Sequence, residues 1–258
     1  THIVRMAKRI DELAGRHDLS SLVSVVHGGA PCPRWAKEAV LDWWGDVIYE
    51  LFGSSEGTGP LRVTPKVWRE RPGTVGEPAP FLTVAAFDDD GNRLSDGTTG
   101  TLYFLRADGQ PEYVGAPDKT EANRLPGGWF TVGDVGWVDD DGYVFLSDRK
   151  IDMIISGGAN IYPAEIEAAL ISHPAVADCA VFGIPDDEWG EQVKAAVEFE
   201  PGVVATEADL IHWCREHLAG FKCPRSVDVH EAMPREATGK LKKRLLRDAY
   251  WEGYDRAI

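Results

Sequence analysis

Three turns in this sequence gather small residues, hydroxyls and acids where a strand ends: Gly28-Gly29-Ala30-Pro31, Gly53-Ser54-Ser55-Glu56 and Val132-Gly133-Asp134. Each offers backbone donors, a hydroxyl or a charge, the groups that hold a polar small molecule. Two further motifs add charge: Asp148-Arg149, and Thr238-Gly239-Lys240, in which a compact cation on a long stem follows a flexible glycine. Singly, each feature has an ordinary reading. Phe52 is core packing, Glu56 a helix cap, Asp134 a turn acid, and Lys240 part of a solvated basic face with Lys242, Lys243 and Arg244. Their joint occurrence and their order carry the functional reading.

Elements must position these turns. Ile3, Met6, Ile10 and Leu13, with charges between them, predict an amphipathic helix over His2 to Ala14. Leu22 to His27 is a short β-branched run that stops at the first turn, Pro33 to Trp44 reads as a helix, and Val47 to Phe52 is a strand that stops at the second turn. That alternation predicts an α/β sheet with its loops gathered at one edge. From Gly73, short strands (Thr83 to Phe87, Thr101 to Leu105, Trp129 to Thr131, Trp137 to Val138, Tyr143 to Leu146) alternate with turns and predict a β-rich subdomain. Beyond Lys150 the order becomes β, α, β, β, α, β, α, beginning at Met153 to Ile155 and closing with a helix over Lys240 to Tyr250. Pro163 suits the first turn of its helix, and Thr206 with Asp209 reads as a capping pair. The fold class is α/β plus α+β. Residues 1–149 form one part (α/β segment 1–72, β-subdomain 73–149), and residues 150–258 form a compact second domain.

The 258 residues carry 42 acidic and 27 basic side chains, a formal charge of −15 that repels polyanions and disfavours nucleic acid as a partner. No apolar run approaches the ~20 residues of a membrane helix, and Thr1 to Ile10 lacks the pattern of a secretion signal, so a cytoplasmic protein is expected. Cys32, Cys179, Cys214 and Cys223 are widely spaced and read as reduced thiols. His212, Cys214, His217 and Cys223 lie close in sequence, but helical spacing spreads the first three around the axis, which argues against zinc. The runs Asp88-Asp89-Asp90-Gly91-Asn92 and Asp139-Asp140-Asp141-Gly142 lack the downstream acid of a calcium loop and fall where hairpins need turns.

Read together and in order, HGGAP (27–31), YELFGSSEG (49–57), RPGTVGEP (71–78), GWFTVGDVG (128–136), DGYVFLSDRKIDMIISGGANIYPAEIE (141–167), HPAVADCAVFGIPDDEWGEQVKA (173–195) and PREATGKLKKRLLRD (234–248) resemble one family. It is the acyl-CoA synthetases of the adenylate-forming superfamily, which includes firefly luciferase and peptide-synthetase adenylation domains. The resemblance covers nearly the whole chain and implies the carboxy-terminal part of that enzyme fold: an incomplete α/β sheet and β-subdomain, then a small mobile α+β domain. It implies that Gly29, Ala30 and Pro31 border adenine and that Phe52 stacks on it. Ser55, where relatives usually have threonine, matches an α-phosphate contact, and Glu56 matches the carboxylate that holds Mg2+. Asp134 matches the acceptor for both ribose hydroxyls, Arg149 a second ribose or phosphate contact, and Lys240 the cation that bridges charge during adenylation.

The implied reaction has two halves. A hydrophobic carboxylic acid such as a fatty acid attacks ATP to give an acyl adenylate and pyrophosphate, and the thiol of coenzyme A then displaces AMP. In the second half the small domain of relatives rotates and brings the loop matching Ser156-Gly157-Gly158 beside a pantetheine channel. Two departures stand out. No Ser/Thr/Gly-rich phosphate loop ending in lysine precedes the HGGAP turn, and Asp96-Gly97-Thr98-Thr99-Gly100-Thr101 imitates one only superficially because a strand follows it. Ile151 stands where relatives often place Asp or Lys at the pivot. A sheet lacking its neighbours needs its edge and apolar face covered, by the missing amino-terminal half of the same enzyme, a second copy in a homo-oligomer, or retained polypeptide. Two alternatives remain open at this level: a non-catalytic nucleotide-binding fragment, and a ligase that delivers the acyl group to a carrier protein.

Overall fold

The computed structural model describes residues 2–30, 32–236 and 239–254. The chain divides into two compact units, residues 2–150 and residues 151–258. In the larger unit, helix α1 (His2–Ala7) and the single turn α2 (Ile10–Leu13) precede strand β1 (Val25–Gly28), helix α3 (Arg34–Trp44) and strand β2 (Ile48–Phe52). The continuous helix expected over His2 to Ala14 is therefore broken after Ala7. Only α1 buries an apolar face, through Ile3, Val4 and Ala7, whereas α2 buries no residue, so nothing holds the two turns in one line. Helix α3 packs by one stripe, Ala36, Val40 and Leu41.

Strands β1 and β2 run parallel, with Val25 opposite Ile48 and Gly28 opposite Leu51. The sheet continues through β3 (Leu61–Val63), helix α4 (Pro65–Glu70) and β4 (Thr74–Pro78). Thr64 caps α4 by accepting a hydrogen bond from the Val67 amide, and Pro65 occupies the first turn, where its missing N–H costs nothing. The remaining elements are β5 (Leu82–Phe87), β6 (Gly100–Arg106), helix α5 (Pro117–Ala122), β7 (Arg124–Leu125), β8 (Trp129–Phe130), β9 (Asp134–Val138) and β10 (Val144–Arg149). Among the described residues the strand order is β1-β2-β3-β4-β10-β9-β6-β8-β7, with β5 paired to β6. Leu61, Leu102, Phe104, Phe130 and Val144 fill its core, and the Phe104 ring lies between those of Phe52 and Phe130. Both Asp-rich runs are turns. Asp88 accepts from the amides of Asp90 and Asn92, and Asp139 from those of Asp141 and Tyr143, so these carboxylates serve their own backbone. The 96–101 imitation of a phosphate loop runs directly into β6.

The smaller unit pairs β11 (Ile154–Ser156) and β12 (Ala159–Ile161) with a long hairpin, β13 (Val176–Asp186) and β14 (Gly190–Phe199). Helix α6 (Pro163–Ile171) precedes that hairpin, and helix α7 (Glu207–His217) leads to β15 (Ser226–Val229), which pairs parallel to β14. The Trp213 indole donates to the Ala169 carbonyl at 2.9 Å and ties α7 to α6. Helix α8 (Lys243–Arg247) and a 3-10 turn (Asp248–Tyr250) close the described fold. The final helix thus starts three residues later than the sequence pattern suggests. Leu241 bridges to Arg235 and the Lys242 amide donates to the Pro234 carbonyl, so Lys240 belongs to an extended hairpin and not to a helix. Cys214 and Cys223 are buried, and burial pushes the Cys214 thiol up to about 12.

Helix α7 starts with a full capping box: the Thr206 hydroxyl accepts from the Asp209 amide, and the Asp209 carboxylate accepts from the Thr206 amide. Thr206→Ala is expected to cost about 1 kcal/mol, read as faster amide exchange in the first turn of α7, and an unchanged exchange rate there would contradict the capping role.

Candidate active site

Parallel pairing brings two of the sequence-selected turns to one sheet edge. Gly28 ends β1 and its register partner Leu51 lies one residue from the end of β2, so the chain leaves both strands on the same side. A Cβ at Gly28 would stand 2.3 Å from the Leu51 carbonyl oxygen, so only glycine permits this pairing. Gly29 and Ala30 follow as an exposed turn, and Pro31 lies outside the described residues. His27, just before the turn, faces the buried Lys37–Glu50 ion pair, with its Nε2 3.7 Å from the Glu50 carboxylate. Burial, reinforced by Lys37, pushes His27 down to about 4 and keeps it neutral.

Phe52 closes β2 with its ring stacked 6.5 Å from Phe104, which makes it part of the core as well as of the site. The turn after it is tightly held. The Glu56 amide donates to the Ser54 hydroxyl at 3.2 Å, the Gly57 amide to the Ser54 carbonyl at 3.0 Å, and Arg106 donates to the Gly57 carbonyl at 3.1 Å. Asp108 clamps the other side of the Arg106 guanidinium, at 2.8 and 2.5 Å. The Glu56 carboxylate accepts from Ser55 at 3.1 Å and from the Tyr113 hydroxyl at 3.4 Å. Burial opposes its ionisation, but donation from its own amide, Ser54, Ser55 and Tyr113 outweighs burial and holds Glu56 below the ordinary carboxylate range. Ser55 and Glu56 open into a cavity of about 270 Å³ shared with Tyr113, Thr120, Arg124 and Thr131. Thr120 helps shape that wall: its hydroxyl accepts from the Tyr113 amide at 2.9 Å and donates to the Ala116 carbonyl at 3.1 Å.

Asp134 opens β9 and pairs in register with Arg149 at the end of β10. Asp134 is buried, its side chain 11% exposed, and its carboxylate lies 3.4 Å from the Arg149 Nε. The loop before it is pinned from both ends, because the Thr131 hydroxyl donates to the Leu102 carbonyl and accepts from the Gly133 amide. Burial pushes Asp134 upward, Arg149 pulls it back, and the negative charges of Asp148 and Glu56 add to the push, with a net rise. Glu56 and Asp134 are thus electrostatic neighbours held in opposite senses.

Gly157, Gly158 and Lys240 belong to the smaller unit. Gly157 and Gly158 both take positive φ (57° and 81°) in the turn from β11 to β12, and a Cβ on Gly157 would meet the Trp189 ring at 2.4 Å. The Gly157 amide donates to the Trp189 carbonyl at 2.8 Å, and Arg225 lies over the Trp189 ring at 5.7 Å. Lys240 lines a cavity of about 520 Å³ with Asp152, Glu236, Lys242, Lys243 and Arg244. Sequence reading missed Tyr113, Thr120 and Trp189 as neighbours of these sites. The WGEQV segment was visible, yet nothing local tied Trp189 to Gly157. Among the described residues no group of three His, Cys, Asp or Glu side chains gathers as a metal site.

A mixed sheet with a cavity at its Ser55–Glu56 turn, and a small α+β unit after it in sequence, match the carboxy-terminal portion of adenylate-forming enzymes. The AMP-binding enzyme family model matches residues 1–110, and the model for the AMP-binding enzyme C-terminal domain matches residues 165–240. The chain belongs to this AMP-binding, adenylate-forming enzyme superfamily. It is 37% identical over 242 residues to the fatty acid–[acyl-carrier-protein] ligase ScoC of Streptomyces coeruleorubidus, covering 92% of this chain and 46% of that protein. It is 35% identical over 253 residues to the long-chain-fatty-acid–CoA ligase FadD13 of Mycobacterium tuberculosis, covering 96% and 48%. The ATP-bound crystal structure of MatB from Rhodopseudomonas palustris superposes with a TM-score of 0.81 at 31% identity, over 90% of this chain and 46% of that one. The chain spans about half the length of the curated relatives it matches.

The Asp134–Arg149 pair predicts a titration. The folded state holds the Asp134 proton more tightly than the unfolded chain, so this group lowers stability as pH rises from the ordinary aspartate range through its folded pKa. Arg149→Ala removes the opposing cation and should move Asp134 further up, followed by carboxyl 13C NMR. A downward movement would show that Arg149 is not its governing partner.

Proposed function

We propose that this chain supplies the carboxy-terminal portion of an acid–thiol ligase that activates a hydrophobic carboxylic acid, such as a fatty acid, through an acyl adenylate to a coenzyme A thioester. The observation that carries the reading is the turn that presents Ser55 and an ionised Glu56 to a cavity in the unit that also holds the Asp134–Arg149 pair. Membership of a family whose named relatives are acyl ligases supports it. In this reading residues 1–149 are the end of the AMP-binding domain and residues 150–258 its small carboxy-terminal domain, a division supported by the two compact units meeting between Lys150 and Ile151. An amino-terminal half, equivalent to the part of the relatives outside the match, completes the sheet and supplies the phosphate loop. A cytosolic setting suits the four free cysteines and the absence, among the described residues, of any helix long and apolar enough to cross a membrane.

The residues divide the work. Gly29, Ala30 and Pro31 border the adenine and Phe52 offers it a flat apolar face. Asp134 accepts from the two ribose hydroxyls, which suits a carboxylate with two oxygens, while Arg149 contacts ribose or phosphate. Ser55 donates to the α-phosphate. Glu56 fits a Mg2+ site, because its hydrogen bonds keep it charged and Mg2+ is commonly held by one or two carboxylates plus substrate phosphates. When bound, Mg2+ neutralises phosphate charge. Lys240 meets the charge that grows as the substrate carboxylate attacks the α-phosphate and pyrophosphate departs. The Gly157–Gly158 turn borders the pantetheine arm when the thiol displaces AMP: Gly158 leaves open space there, while Gly157 makes way for the Trp189 ring behind it.

In the complete protein, Lys240→Ala should slow acyl-adenylate formation by roughly 100-fold or more, while thioester formation from supplied acyl adenylate continues. Equal damage to both halves would remove the role assigned to Lys240.

A second acceptor is favoured by one observation, the likeness to an acyl-carrier-protein ligase. Thioester assays with coenzyme A and with a phosphopantetheinyl carrier protein decide between them. We expect coenzyme A to be the faster acceptor, and a faster reaction with the carrier would reverse the assignment.

A further inference from the structure

The hairpin that presents Lys240 is braced from inside the smaller unit. Arg235 Nε and Nη2 donate to the two carboxylate oxygens of Asp178 on β13, both at 2.6 Å. That carboxylate is 8% exposed and also accepts from the Cys179 amide at 2.9 Å. The third nitrogen of the same guanidinium, Nη1, donates to the Gly239 carbonyl at 2.5 Å. The oxygen so held belongs to the peptide that joins Gly239 to Lys240. One rigid planar fork therefore spans a core strand and the backbone immediately before Lys240, which a flexible ammonium cannot do.

Other contacts narrow the freedom of Lys240 further. The Glu236 amide donates to the Lys240 carbonyl at 2.9 Å, and the Gly239 amide to the Glu236 carbonyl at 2.8 Å. Leu241 packs against the core cluster that holds Ala180 and Phe182. Lys240 thus sits between an anchored carbonyl and an anchored side chain. Buried ion pairs repay little of their own desolvation, so conformational control, more than net stability, is what this arrangement can supply.

We propose that Arg235 is a positioning residue for Lys240: by bracing the Gly239–Lys240 peptide against β13 through Asp178, it sets where the ammonium can reach during adenylation. The inference rests on the reading of Lys240 as the adenylation cation. Misplacing a reacting group by about 1 Å can cost about 100-fold, which sets the scale of the effect.

The test compares Arg235→Gln and Arg235→Lys with the parent in the complete protein, measuring pyrophosphate release in single turnover and, separately, thioester formation from supplied acyl adenylate. Arg235→Lys keeps a charge beside Asp178 but cannot also hold the Gly239 carbonyl. Both variants are expected to lose adenylation by roughly 10- to 100-fold through kcat, with the KM for ATP little changed. Thioester formation from the adenylate should stay within about twofold, since misplacing Lys240 touches one half-reaction only. Amide exchange along β13 in Arg235→Lys reports whether the fold is intact. Where Arg235→Gln fails to fold, Asp178→Asn in its place should give the same one-sided loss. Full adenylation by Arg235→Lys, or equal loss in both halves, would overturn the positioning role alone. A parent protein that forms no acyl adenylate would instead overturn the functional reading beneath it.

Discussion

Gly28 and Leu51 face each other in the parallel pair of β1 and β2, and a side chain at Gly28 would drive its Cβ into the Leu51 carbonyl. The geometry of the larger unit depends on that close approach. Because the two strands stay in register to their carboxyl ends, the 29–30 turn, Phe52 and the Ser55–Glu56 turn leave the sheet side by side. Parallel pairing needs a crossover, and α3 supplies it, burying Ala36, Val40 and Leu41. The rest of the sheet is antiparallel and returns β9 and β10 to deliver Asp134 and Arg149 as register partners.

On this frame the two acids of the site are tuned in opposite directions by their surroundings. Glu56 has three donors within its own turn and a fourth in the Tyr113 hydroxyl, enough to hold it below the ordinary carboxylate range in spite of burial. Asp134 has one cation at 3.4 Å and more burial, so its proton is held more tightly. In the proposed function these opposite settings match the two roles, a charged Glu56 for a cation and Asp134 for hydroxyl donors. Glu56 draws its donors from its own turn and from Tyr113, whereas Asp134 sits at the start of β9 and is governed by burial and by the Arg149 side chain at the end of β10.

On the proposed reading, the smaller unit holds one cation, Lys240, on an extended hairpin in a chain of net charge −15. Lys240, Lys242, Lys243 and Arg244 line one cavity with Asp152 and Glu236. Lys243 is also engaged, 2.8 Å from Glu167, whose carboxylate accepts from the Val181 amide. The basic segment is therefore partly anchored to the fold, and its geometry is inherited from β13 through Asp178 and Glu167.

Several turns and many of the elements were legible from local chemistry, whereas β3, α4, α5 and β12 have no counterpart in the sequence pattern. Thr206 and Asp209 form their capping box as spaced and the Asp-rich runs make Asx turns, because these interactions close within four residues. The family motifs were legible for the same reason, as contiguous runs. Where helices stop was not: apolar spacing continues past Ala7, but α1 buries Ile3, Val4 and Ala7 and packs against α3, whereas α2 buries no residue. Lys240 likewise follows a helical pattern in sequence, yet the pairing of Arg235 with Leu241 draws it into a hairpin. Tyr113 meets Glu56 across 57 positions, Arg235 meets Asp178 across 57, and Trp189 covers Gly157 from the far end of another hairpin. Such partners are chosen by strand register and core packing, which no local window contains, so the types of the site residues were written in the sequence while their pairing was decided by the tertiary fold.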